Sequence, residues 1–374
     1  MELVNETKVE AGWTLGFQRD GRELLIVAVK ATFLVPSNGE DPILAETQVP
    51  LTEADEFTGE PGFSATLYES DYAPRKPLCD VLLNGSAHAP DGRAVKRVTV
   101  ALRVGSMKKS FNVIGDRVWE KGLFFVKPSR PRPFTQLPIS YDRAFGGVDV
   151  AQKKAAKVRT YLKNPIGVGY YPLTKRKARV GKRLPNTMEI GHPVEGTKAR
   201  YIPMSFGPIG RNFESRIPLA GTYDADWLNH RAPLLPDDFD YRYFQAAPPD
   251  QQIPHPTGVE EVVLENLSPE GITRFRLPKM SMPVLFIPHG REAKQQDAVI
   301  DTLVIEPDHC RFMLTWRTSL PLRRDCFEIS QIVAGRTLRA HRRETRLTTK
   351  TRYVSLAHFI RSKRRSRTGG RYAR

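Results

Sequence analysis

A chain of 374 residues, 40% aliphatic or aromatic and 26% charged, has the apolar material of a folded protein and is too long for one small core, so two domains or one elaborated domain are expected. Three widely spaced cysteines, Cys79, Cys310 and Cys326, exclude a disulfide framework and a paired zinc knuckle and predict a reducing, cytoplasmic setting. The net charge of +17 points to an acidic partner only if it is spread evenly, and it is not: Arg336 to Arg374 hold 14 Lys or Arg against one acid, which leaves +4 for everything before them.

Met1 to Lys8 lacks a basic flank followed by an apolar stretch, so no signal peptide is expected. Trp13, Leu15 and Phe17 then alternate with Thr14 and Gly16, Asp20-Gly21 reads as a turn, and Leu24 to Val35 runs on apolar and β-branched. This is a hairpin pattern. Its second arm is apolar on both faces from Leu24 to Val29 and should be a central strand covered on each side. That run, the longest purely apolar one, is six residues, far below the roughly 20 of a membrane-spanning helix, and no membrane partner is expected. Val81 to Leu83 is apolar, Pro90-Asp91-Gly92 is a turn, and Val98, Val100, Leu102 and Val104 alternate with Thr99, Ala101 and Arg103 in a half-buried strand. After Gly105-Ser106 a partner strand follows through Phe111, Val113 and Ile114, closed by Gly115-Asp116, and a β-sandwich or open barrel is the natural product.

Between Pro128 and Pro256 lie 17 of the 30 prolines together with many aromatics and almost no period. Proline blocks long helices, and so aromatic a coil should be ordered and packed on a sheet. The one helix expected before the tail lies between Val150 and Tyr161. Strand patterns return at Val262 to Leu264, Thr273 to Leu277, Val284 to Ile287, Thr302 to Ile305, Phe312 to Trp316 and Phe327 to Val333. Past Arg336 only Tyr353 to Ile360 suits an amphipathic turn, and the last dozen residues are expected to be disordered. The prediction is a mainly β protein: an N-terminal β unit over 1–127, a loop-rich region over 128–256, a C-terminal β unit over 257–335 and a basic tail over 336–374. The two units are expected to be sandwich-like, joined by the long ordered aromatic region, with few short helices.

Motifs for chemistry are sparse. The eight histidines stand singly, and neighbouring His309 and Cys310 would face opposite ways on a strand. Asp237-Asp238-Phe239-Asp240 lacks the alternate spacing of a calcium loop and reads as a turn or cap. No Gly-x-Ser-x-Gly elbow or phosphate-binding loop is present; Gly146-Gly147 and Gly167-Val168-Gly169 suit backbone at positive φ. Asp80, Asp116, Arg117, Arg143 and Asp224 are expected to be buried and to hydrogen-bond loop backbone. No catalytic, cofactor-binding or metal-binding residue is assigned, and no cofactor is expected. The enzyme alternative is a site assembled in space from Asp80, Arg143, Asp224 and His230. In the tail, Arg361, Lys363, Arg364 and Arg365 could meet phosphates, an acidic lipid surface or an acidic protein face. No base-stacking aromatic is interleaved with them, Tyr372 apart, so specific nucleic-acid readout is disfavoured.

Nine phrases carry a resemblance. They are Lys30-Ala31-Thr32-Phe33; Asp71 to Val81 with Asn84-Gly85-Ser86-Ala87; Gly115 to Trp119; Leu137 to Gly147; Asn164-Pro165-Ile166-Gly167; Leu184-Pro185-Asn186; Phe206-Gly207-Pro208-Ile209; Gly221-Thr222-Tyr223-Asp224 with Trp227; and Pro236 to Asp240. In this order they resemble a bacterial domain family of unknown function, number 2169, whose members accompany type VI secretion spike and effector proteins. The resemblance implies a cytoplasmic adaptor or chaperone rather than an enzyme, one that binds an effector protein and helps load it onto the spike trimer or its Pro-Ala-Ala-Arg tip. It implies structural roles for Lys76, Pro77, Asp80, Gly85, Asp116, Trp119, Arg143, Phe145, Gly146, Gly147, Asn164, Pro165, Gly221, Asp224 and Trp227. Cys79 departs from the pattern, standing where a small polar residue is usual, and the Arg-rich tail lies outside the family's core.

Overall fold

A computed structural model describes residues 1–37, 39–123, 125–150, 158–198 and 200–349, the side chains of 345–349 excepted. In chain order the strands of its two main sheets are β1 (Glu2–Asn5), β2 (Glu10–Phe17), β3 (Glu23–Leu34), β4 (Cys79–Leu83), β5 (Arg97–Val104), β6 (Met107–Ile114), β7 (Thr187–Met188), β8 (Gln252–Ile253), β9 (Glu261–Glu265), β10 (Ile272–Arg276), β11 (Met282–Pro288), β12 (Lys294–Glu306), β13 (Arg311–Pro321) and β14 (Ile329–Ala334). Among the described residues the larger sheet has nine strands in the order β1-β14-β11-β12-β13-β3-β2, with β4 beside β12 and β8 beside β4. The smaller has five, β7-β6-β5-β9-β10. The protein is mainly β, as its patterns predict.

The first hairpin forms where the alternation places it, from Glu10 opposite Lys30 to Phe17 opposite Glu23, and Gly21 turns the chain at a φ of 84°. Leu24 to Phe33 of β3 are buried without interruption. Such a strand needs a neighbour on each edge, and β2 supplies only one. The other comes from the far end of the chain: β13 pairs along all of β3, from Leu24 opposite Pro321 to Leu34 opposite Arg311. The same happens in the smaller sheet, where β5 meets β9 with Leu102 opposite Leu264. Strands from before and after the loop-rich region therefore share both sheets, which differs from the expected pair of sandwich-like units, one on each side of it. The end strands of the larger sheet, β1 and β2, are chain neighbours, and the sheet curls until it is nearly closed.

One apolar core lies between the sheets, with Leu25, Val27 and Val29 of β3 meeting Val100 and Leu102 of β5 and Leu264 of β9. Phe312 stacks between Phe33 and Phe275, ring centroids 5.2 and 5.0 Å away. Each such ring contributes about 1.5–3 kcal/mol by leaving water. The loop-rich region is ordered where described, built of short strand pairs and 3-10 turns. Its Tyr141, Phe145, Tyr161, Tyr201, Phe206, Phe213 and Phe239 are buried, and Phe206 reaches the common core at 4.6 Å from Phe111.

The two described α-helices lie where the sequence patterns placed none. Helix α1 (Ala225–His230) starts at Asp224, whose carboxylate accepts the Trp227 N–H at 2.9 Å. Helix α2 (Leu338–Thr349) opens the basic segment after β14. The helix expected near Val150 falls largely on residues outside those described, as do Tyr353 to Ile360. No described helix is long and apolar enough to cross a membrane.

Candidate functional site

The chain leaves β4 through Asn84 into the short strand Gly85–His88, which pairs with Gln136–Ile139. Ser140 then leads into the 3-10 turn Tyr141–Arg143. Together with Gly207, Pro208 and the Pro307–His309 turn between β12 and β13, these segments enclose an open groove of about 400 Å³. Apolar wall comes from Tyr68, Ile139 and Pro208, and polar groups from Asn84, Ser140 and Arg143. A Cβ on Gly85 would sit 3.1 Å from the Pro307 ring, a tight contact to which the ring would have to yield by a few tenths of an ångström. At the groove's edge Glu306, almost fully buried, accepts from Arg311 at 2.6 Å and from the Tyr68 hydroxyl. Burial first, and Glu306 next, push the Tyr68 hydroxyl far up, so it stays a donor. A second groove of about 530 Å³ adjoins the first, with Asp308 in the wall of both; His88, paired with Asp308 at 2.9 Å, lines the second.

From the groove's Tyr68, whose ring centroid lies 5.9 Å from Lys30 Nζ, a buried layer of charge extends over the outer face of the larger sheet. Lys30 donates to Asp71 at 3.0 Å, to Thr52 Oγ1 at 3.3 Å and to the Pro50 carbonyl at 3.1 Å. Asp71 also accepts the Thr52 N–H at 2.8 Å. Lys76 donates to Asp80 at 2.8 Å and to Thr302 Oγ1 at 2.9 Å. Asp80, fully buried, further accepts from Gln245 Nε2 at 2.6 Å and from the N–H groups of Ala246 and Ala247 at 2.9 and 3.1 Å. Arg317 pairs with Asp301 and donates to the Asp71 carbonyl at 2.8 Å. Buried charges persist only when partnered in this way. The layer ties coil to the sheet, since Gln245 and Ala246 belong to the loop-rich region, Asp71 to the coil before β4, and Lys30, Asp80, Asp301 and Arg317 to strands.

The model of a family described as "Uncharacterized protein conserved in bacteria (DUF2169)" matches residues 20–317. The chain belongs to this family. No curated protein and no solved structure matches it. The groove-lining stretches, Asn84 to Ser86, Pro138 to Arg143 and Gly207-Pro208, all lie within the DUF2169 span.

Of the positions singled out from the sequence, Gly85 and Arg143 line the groove, and Lys76 and Asp80 form a buried pair in the charge layer. Phe145 is buried edge-on to Tyr161 and Tyr201 at 5.3 and 4.9 Å. Next to it Gly146 and Gly147 have φ of 154° and 102°, and Asn164, fully buried, donates to the Tyr141 and Phe145 carbonyls at 2.7 and 3.1 Å. Trp227 donates to the Leu234 carbonyl at 2.9 Å, and Gly221, at a φ of 81°, packs tightly against Pro236 and Asp238. Trp119 is buried beside the 3-10 turn Arg176–Arg179, while Pro77 is exposed and Pro165 half-buried. Three of the five expected burials fail: Arg143 is half-buried, and Asp116 and Asp224 are exposed, the first accepting from Asn186 at 3.0 Å and the second capping α1. A carboxylate that satisfies loop N–H groups can do so from the surface, so its role does not require burial. Asp238 and Asp240 hold the turns proposed for them, accepting the Thr222 and Arg242 N–H groups at 2.9 and 2.8 Å.

Asp80, Arg143, Asp224 and His230 each have their own partners. Asp80 faces Lys76, Arg143 reaches Asn186 at 3.4 Å, Asp224 caps α1, and exposed His230 meets Asp226 at 3.0 Å. Among the described residues no group of three His, Cys, Asp or Glu is disposed to hold a metal ion. Arg361, Lys363, Arg364 and Arg365 lie outside the described residues. Sequence reasoning quoted Lys30 and Asp71 in the family phrases without giving them a role, and it missed Asp301, Arg317 and Arg216, the last 2% exposed and bonded to Glu69 and the Ile209 and Tyr243 carbonyls. For Lys30 the signal was there: a cation inside a strand apolar on both faces must have a buried partner.

Proposed function

We propose that this DUF2169 protein is a non-enzymatic adaptor or chaperone of type VI secretion, which binds an effector protein in the bacterial cytoplasm and helps seat it on the spike trimer or its Pro-Ala-Ala-Arg tip. The observation that supports this reading is the convergence of three stretches distant in sequence, 84–86, 138–143 and 207–208, on one open groove inside the family's span. Apolar wall interleaved with hydrogen-bonding groups suits a peptide segment of a partner. The buried charge layer fixes the covering coil on the larger sheet before binding, and preformed surface lowers the entropy cost of association. The separate engagement of Asp80, Arg143, Asp224 and His230 favours this reading over the enzyme alternative. Co-expression with the effector and spike proteins encoded beside this chain, followed by size-exclusion chromatography, tests it. A stable complex with one of them is expected; elution of the chain alone in every pairing contradicts the proposal.

A further inference from the structure

Basic charge is concentrated in the folded body as well as in the tail. Residues 116–132 and 175–183 hold 11 Lys or Arg against two acids, a net of +9, and with the tail's +13 set aside the remaining residues sum to −5. The two segments are neighbours in space. The Trp119 N–H donates to the Lys182 carbonyl at 2.9 Å and the Leu184 N–H to the Arg117 carbonyl at 3.0 Å, and the 3-10 turn Arg176–Arg179 packs on the hairpin Trp119–Lys121 with Val126–Pro128. Lys121, Arg130, Arg132, Arg176, Lys177 and Arg183 are exposed, with no carboxylate partner among the described residues. At the hairpin's tip Leu123 is 88% and Phe125 56% exposed.

We propose that this face docks reversibly on an anionic phospholipid bilayer, the apolar tip entering the headgroup boundary while the surrounding cations meet lipid phosphates. Stable attachment to a bilayer takes two signals, and an apolar insertion beside a polybasic patch supplies both. Each Lys or Arg near an anionic leaflet strengthens binding about fivefold. A protein interface has the opposite composition, an apolar centre depleted of charge and poor in Lys. Single-stranded nucleic acid takes a groove lined by successive stacking aromatics, and of the described apolar residues at the tip, Leu123 and Phe125, one is aliphatic. The lack of a membrane-crossing helix bears on insertion across a bilayer and leaves surface docking open. The patch shares no lining residue with the groove, so this inference stands apart from the adaptor reading.

The test is co-sedimentation of the full chain with vesicles of phosphatidylcholine alone and with added phosphatidylglycerol, circular dichroism checking that each variant is folded. Binding is expected only with phosphatidylglycerol. Leu123→Ser combined with Phe125→Ser should weaken it about 10-fold or more, and Arg176→Glu with Lys177→Glu at least about 25-fold. Should the charge variant fail to fold, the tip variant decides, since both its positions are exposed. Failure to bind phosphatidylglycerol vesicles overturns the proposal. So does binding unchanged in the folded variants, which would assign it to the tail, or tighter binding to a DNA duplex at equal charge concentration.

Discussion

Asp80 and Lys76 form a buried pair whose members should not be equally costly to remove. Asp80 accepts four N–H donors, from Lys76, Gln245, Ala246 and Ala247. In Asp80→Asn one carbonyl oxygen faces those donors, the new amide points its own N–H groups at some of them, and the Lys76 ammonium is left buried with Thr302 Oγ1 as its main partner. Breaking a buried pair from the side that strands a charge costs about 3–5 kcal/mol, which at roughly 2–4 °C per kcal/mol lowers the Tm by about 6–20 °C. Lys76→Met instead leaves a carboxylate with three N–H donors and costs one charge-assisted bond, about 1.5–3 kcal/mol. The double variant should be no less stable than Asp80→Asn alone, because the stranded ammonium is gone, giving a coupling at least as large as the Lys76→Met cost, about 1.5–3 kcal/mol. Urea unfolding of the three variants measures this. Lys76→Met costing as much as Asp80→Asn would contradict the asymmetry of the pair, and strict additivity in the double variant would contradict the coupling.

Arg216→Lys should destabilise by about 2–4 kcal/mol in the same assay, because a point ammonium cannot reproduce the fork that meets Glu69 and the Ile209 and Tyr243 carbonyls together. Gly147→Ala should cost more than about 3 kcal/mol or prevent folding, read by circular dichroism, since φ is 102° and the new Cβ would lie 2.2 Å from the Gly167 carbonyl oxygen. Glu260 accepts the N–H groups of Thr257, Gly258 and Val259 at 2.9, 2.9 and 3.0 Å. Burial opposes its charge, but those bonds prevail and hold its pKa below the ordinary 4.5. Its stabilising contribution is therefore complete above the unfolded-state value and lost as pH falls through the lower folded-state value. The gap in urea midpoint between wild type and Glu260→Gln should accordingly be wide near about pH 6 and close on acidification below about pH 4.

Local patterns were legible because period and turn chemistry act over a few residues. The alternation at Val98 to Val104, the two-faced run at Leu24 to Val29 and the six C-terminal strands all appear where their residues place them. Strand ends were less legible: β12 begins at Lys294, eight residues before the expected Thr302, because its first half is polar and partly exposed. Pairing partners were not legible at all. Nothing in Leu24 to Leu34 names Arg311 to Pro321 as the strand that closes its second edge; only the need for some partner can be read. The groove is hidden for the same reason, its walls being brought together by sheet topology. Net charge misled in its own way, since +4 over the body conceals a patch of +9 cancelled by acids elsewhere.

If the open groove holds the partner, a side chain that blocks it must cost affinity. His309 and Thr58 are exposed residues of the groove lining, so His309→Trp or Thr58→Arg should obstruct it without unfolding the chain. Isothermal titration of the co-purified partner into wild type and either variant should show affinity falling by about 30-fold or more with the Tm unchanged. Equal affinity in all three would contradict the claim.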